Sequence, residues 1–189
     1  MVPCLYDHDL QARPGPMRET FEDAIINMGF WDTMSCHYYK RTLPPPGISA
    51  WTKLRLNWIE PSKIKVINGG DTSEFTLGPL ENGSSEFLVA RIPVTESTCY
   101  LVENRQPIGF DRNLPGSGIL ISYSDDRIPE CRRGLAPVKL ANADPSVQHP
   151  EGAAFDMNKR ETFEDSVNGI GIQLKEKTAG SYRIVVSRR

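Results

Sequence analysis

Histidine is scarce in this chain, and its scarcity is informative. Only three of the 189 residues are His, at positions 8, 37 and 149, and no two stand four apart. A zinc helix of the H-E-x-x-H kind needs two imidazoles one turn apart on one face, with a Glu between them as general base. That centre is therefore absent from this sequence. Long apolar runs are missing too. Nothing approaches the roughly 20 residues of a membrane-spanning helix, and the opening MVPCLYDHDL has neither the basic nor the apolar stretch of an export signal. Charge of one sign is not in excess: a net charge of -2 and a pI near 6.0 give no pull toward nucleic acid or an anionic membrane. Cysteine is sparse, with four at positions 4, 36, 99 and 131, so no disulfide framework is implied. Buried or reduced thiols, one or two disulfides and a metal role all stay open.

What is present suits a folded protein. A hydrophobic fraction of 39% argues against disorder, and the length suffices for one sizeable domain or a compact domain with an appended lobe. The texture changes near residue 60. Before it, RPGP (13 to 16) and LPPPG (43 to 47) punctuate the chain, and three consecutive prolines enforce an extended lead into the next element. In GISAWTKLRLNWIEP, the residues Ile48, Trp51, Leu54 and Trp58 recur at helical spacing. This predicts one amphipathic helix from about Ser49 to Asn57, stopped by Pro61, with its aromatic stripe facing a core.

Beyond residue 60, short β-branched and aromatic runs alternate with turn chemistry: KIKVI (63 to 67), EFTLGPL (74 to 80), EFLVARIPV (86 to 94), TCYLVEN (98 to 104), GILISYS (118 to 124), IGIQLKEK (170 to 177) and SYRIVVSR (181 to 188). The last two, joined at Thr178-Ala179-Gly180, predict a hairpin. The expected fold class is α+β, a helical and looped leading segment (1–62) followed by a β-rich lobe, sandwich or barrel-like (63–189). RETFED occurs at 18 to 23 and again at 160 to 165, but a lone hexapeptide echo is no solenoid period.

Several catalytic templates fail. LPGSG (114 to 118) is not G-x-S-x-G and precedes a strand, so no nucleophile elbow forms there, and no Gly-Lys-Ser/Thr comes after it to make a phosphate loop. Glu103 and Arg105 share a strand face by period two, which predicts a structural ion pair more readily than a substrate clamp. Cys4-x3-His8 with Cys36-His37 could converge as a Cys2His2 zinc set, though its spacing fits no strong template. Asp71, Asp111, Asp125, Asp126, Asp144 and Asp156 lie in polar loops where a structural calcium is possible, without EF-hand spacing.

Three stretches carry a family resemblance. GFWDTMSC, with Trp31, Asp32 and Met34, followed by SAWTKLRLNWIEP, resembles the Met turn and helix of the immune inhibitor A family of secreted zinc metallopeptidases. CYLVENRQPIGFDRNLPGSGILISYSDD (99 to 126) resembles that family's most recognisable run, through Glu103, Asn104, Arg105, Gly109, Phe110, Asp111, Pro115, Gly116, Gly118 and Asp125. VPCLYDHD, with Tyr6 and Asp7, looks like the segment just past the family's zinc helix, where Cys4 occupies a ligand-like position. The resemblance implies that residues 1–62 are a remnant of the C-terminal subdomain of a zincin-like peptidase, with the zinc helix upstream of Met1. The family's His-x-Asp strand end reads Ser122-Tyr123-Ser124-Asp125-Asp126 here, so that His is missing as well.

Two functions are expected from this. The chain is the C-terminal part of such a peptidase domain, inactive and without bound zinc on its own. Alternatively it is a β-rich binding module on a peptidase-derived scaffold. The expected partner is the missing N-terminal half, or another protein, covering a face near Trp31, Trp51 and Trp58. Neither nucleic acid nor membrane is expected. The family is exported, whereas this sequence opens without a signal, so localisation stays open.

Overall fold

The computed structural model describes residues 2–11, 25–36, 42–147 and 150–189. Among these residues, nine strands assemble into two sheets. The first sheet runs in the order β1 (Ile64–Val66), β3 (Val89–Pro93), β4 (Thr98–Arg105), β5 (Gly118–Asp125) and β6 (Val138–Ala141). Only its β1–β3 pair is parallel. The second runs β2 (Thr72–Leu77), β9 (Ser181–Arg188), β8 (Ile170–Thr178) and β7 (Thr162–Asp165), all antiparallel. Each of the seven predicted runs forms a strand. The run expected at 74 to 80 sits earlier, because Gly78 and Pro79 end the ladder and Pro has no N–H to contribute. The predicted β8–β9 hairpin is present, with Ala179 at φ 49° and Gly180 at φ 83° between paired Thr178 and Ser181. Two left-handed central residues make the I′-type turn that suits strand twist.

Alternation explains the packing. Phe75 and Leu77 of β2, Ile172 and Leu174 of β8, and Tyr182, Ile184 and Val186 of β9 meet Ala90, Ile92, Tyr100, Val102, Ile119 and Ile121 of the first sheet in one core. The β-rich part is thus a sandwich. On the other face of the first sheet, Val89, Cys99, Leu101 and Val138 pack under Leu5, Met28, Ala50, Trp51 and Ile59 of the leading segment. Strand β4 is consequently buried at every position, polar residues included.

The leading segment is less helical than predicted. Only α1 (His8–Gln11) and α2 (Ala50–Arg55) form there among the described residues. Ser49 caps α2, its hydroxyl accepting from Thr52 N at 3.4 Å. The helix ends well before Pro61. Asn57 takes φ 56°, while Trp58 N bonds Lys53 O at 2.9 Å and Asn57 N bonds Leu54 O at 3.1 Å, the Schellman arrangement. An Asn able to enter the left-handed region therefore stops the helix, and Pro61 instead opens a 3-10 turn.

Candidate functional site

Asp32 organises the turn that resembles a Met turn. Its Oδ1 accepts from Met34 N at 2.7 Å, and its Oδ2 from Ser49 N (2.9 Å), Ser49 Oγ (2.5 Å) and Thr52 Oγ1 (2.7 Å). Its carbonyl accepts from Ser35 N and Cys36 N. One buried carboxylate thus holds both the turn and the start of α2, where helix N–H groups favour negative charge. Trp31 is fully buried, its indole N–H donating to Pro150 O at 2.7 Å and its ring lying against Gly116.

The Glu103-Asn104-Arg105 run divides by strand alternation. Asn104 faces the sandwich, donating to Leu77 O and Gly180 O and accepting from Gln106 Nε2. Glu103 and Arg105 face the leading segment and form the predicted ion pair, Nη1 to Oε1 at 3.3 Å. Arg105 goes further: Nε and Nη2 grip Asp111 at 2.7 and 2.6 Å, Nη1 reaches Trp31 O at 2.9 Å, and Nη2 reaches Gly47 O at 3.1 Å. All five guanidinium donors are used, with the side chain wholly buried. Burial disfavours the Arg105 cation, yet the adjacent carboxylates of Glu103 and Asp111 raise its pKa. Burial raises the carboxyl of Glu103, against the pull of Arg105 and a hydrogen bond from Ala50 N. A Cβ at Gly47 would lie 2.4 Å from Asp111 Oδ1, so a larger residue there would have to displace the carboxylate that Arg105 grips.

The third stretch lies alongside the first. Leu5 N donates to Met34 O at 2.9 Å, and the exposed Cys4 thiol reaches the same carbonyl at 3.6 Å. Asp7 caps α1 through Asp9 N and Leu10 N and receives Gly134 N at 2.6 Å. Burial alone would raise its carboxyl, but these backbone donors hold it below the usual value. Tyr6 packs edge-on to His8.

Among the described residues no three His, Cys, Asp or Glu side chains come together to hold a metal; His37 and His149 lie outside those residues. The suggested calcium ligands each accept a protein donor. Asp111 pairs with Arg105, Asp125 with Arg127, Asp126 with Arg55 and Asp156 with Lys177, while Asp144 accepts from Ser146 and Asp71 from Asn68 N.

Of the three tryptophans, Trp31 and Trp51 are covered by the chain itself, and Trp58 is 68% exposed. Beside Met34 an apolar groove of about 570 Å³ opens, walled by Pro44, Pro45, Leu56, Trp58 and Phe110. Phe110 is 72% exposed although its neighbour Asp111 is buried. Lys53 and Glu81 also line the groove, paired at 2.6 Å. Sequence reasoning missed the roles of Ser49, Thr52 and Gly47. The Ser-Ala-Trp-Thr start of α2 was the available signal for the cap; Asp32 reaches it only through the fold.

Of the residues singled out in sequence, Trp31, Glu103, Arg105 and Asp111 thus form one clamp, Asp32 holds the start of α2, Cys4 and Met34 are neighbours, Asn104 faces the sandwich, Phe110 lines the groove and Asp125 is peripheral. No protein-family model and no curated protein matches the chain.

Proposed function

We propose that this chain is the non-catalytic, supporting part of an immune-inhibitor-A-like peptidase domain. It supplies the Met turn and β-sandwich against which a zinc-bearing helix would work. The observation that carries the reading is the contact of the Cys4–Asp7 segment with the Met34 turn, through Leu5 N to Met34 O at 2.9 Å. These are the two stretches the resemblance associates with one zinc site. The Arg105 clamp supports it by tying the Met turn to the sandwich. Hydrolysis would need two imidazoles and a general base from another segment or chain.

The alternative, a binding module, is favoured by one feature, the groove between Trp58 and Phe110. An exposed apolar surface of this kind marks an interaction site in either case. Equilibrium dialysis against zinc and a peptide-cleavage assay on the purified chain test the non-catalytic half of the proposal. No hydrolysis and no retained zinc is expected; stoichiometric zinc with hydrolysis would overturn it.

A further inference from the structure

On the side of α2 away from the Met turn lies a second cavity, of about 420 Å³. This falls within the range of small-molecule pockets. It exists because the leading segment covers the first sheet only in part: Arg91 pairs with Leu101 and with Val66, and Cys99 with Ser124, so these side chains share the face that α2 covers elsewhere. Trp51, Leu54, Ile64 and Leu101 give the cavity apolar walls.

Its polar groups sit together. Arg55 stacks over Trp51, 4.3 Å from the ring centroid, and pairs with Asp126 at 2.6 Å. That pair is neutral. The Arg91 guanidinium, by contrast, makes no hydrogen bond or ion pair among the described residues, although it lines the cavity. The rim therefore carries one uncompensated guanidinium, the donor fork that suits a carboxylate. Cys99 Sγ and Ser124 Oγ, 3.1 Å apart, add a buried hydrogen-bonding pair.

We infer that this cavity binds a small aliphatic monocarboxylate, its chain against Leu54, Ile64 and Leu101 and its carboxylate on Arg91. The site is separate from the Met turn and does not depend on the peptidase reading. Charge complementarity distinguishes it from the groove beside Met34, whose only described charges, Lys53 and Glu81, are paired.

Titration of the purified chain with octanoate and with 1-octanol, measured by calorimetry, tests this. Octanoate is expected to bind at least ten-fold more tightly than octanol, and Arg91→Met to remove that preference while leaving octanol binding unchanged. Val66→Trp, at a 46% exposed rim position, should block both ligands. Should that variant fail to fold, the octanoate-to-octanol ratio in Arg91→Met still decides. Equal affinity for the two ligands, an unchanged preference in Arg91→Met, or no binding at millimolar concentration would each overturn the proposal.

Discussion

Replacing Arg105 with Met keeps much of the side-chain volume but removes the cation from a site that holds Glu103, Asp111 and Asp32. Five hydrogen bonds vanish, and the Trp31 and Gly47 carbonyls lose their donor. Stranding one member of a buried ion pair costs about 3–5 kcal/mol. That is a large part of the about 5–15 kcal/mol that a domain has in total. The loss should depend on pH. Burial already raises the Glu103 carboxyl, and without Arg105 it loses the cation that pulls it down, so the variant loses stability as pH rises through the folded-state value of Glu103 and recovers it as pH falls. The deficit should shrink on acidification by up to about 1.4 kcal/mol per pH unit for each carboxyl that takes up a proton. Arg105→Lys should fall between the two, since an ammonium keeps the charge but cannot reproduce the fork. Urea denaturation at pH 7 and pH 5 measures all of this. A loss below about 1 kcal/mol, or one independent of pH, would refute the clamp as the tie between the Trp31–Met34 turn and the sandwich.

Three further outcomes are expected. Glu103 is a buried carboxyl whose pKa is raised by desolvation, so its contribution is fully present below the unfolded value and fades as pH rises through the folded one. Melting temperatures from pH 4 to 7 should show Glu103→Gln gaining on the parent chain as pH increases, and a constant offset would contradict this. Gly118 sits at φ 144° with a Cβ position 2.3 Å from Phe155 O, so Gly118→Ala should cost about 1–3 kcal/mol by denaturant titration; a neutral result would mean that the Ile119–Phe155 bridge moves freely. Trp58→Ser with Phe110→Ser, both at exposed positions, should change stability by no more than about 0.5 kcal/mol, yet lower the binding of an apolar dye. Unchanged dye binding would show that the groove is not the apolar surface in solution.

The β-rich part was largely legible because its strands obey local rules. KIKVI, GILISYS and SYRIVVSR combine branched residues with Gly and Asn turns, and register is then set by burial. Strands β6 and β7 were not legible. VKLA is four residues long, and TFED ends in two adjacent carboxylates on an edge strand of four residues, too short for a periodic signal. The helix was legible in its start near Ser49, through the helical spacing of Trp51 and Leu54, and misread at its end. Asn57 is a local stop that competes with the more conspicuous Pro61.

The site divides in the same way. The Glu103–Arg105 pair needed only strand alternation. The third partner, Asp111, and the carbonyls of Trp31 and Gly47 are long-range consequences of how loops cross the β4 end. Tertiary packing also decided the fate of the tryptophans: Trp31 found Pro150 O, Trp51 found the sheet face, and Trp58 found solvent. The acidic loop residues read as calcium candidates accept protein donors, local in the case of Arg127 on Asp125 and distant in sequence for Arg55 on Asp126 and Lys177 on Asp156.

The supporting role proposed for the chain is tested most directly by determining the native product that contains it, through immunoprecipitation, intact mass and sequencing of the same reading frame upstream of Met1. The account predicts an H-E-x-x-H segment shortly before the Val2–Asp7 stretch, or on a chain that co-purifies with it. A native product confined to these 189 residues, with no such segment in frame or in a partner, would contradict it.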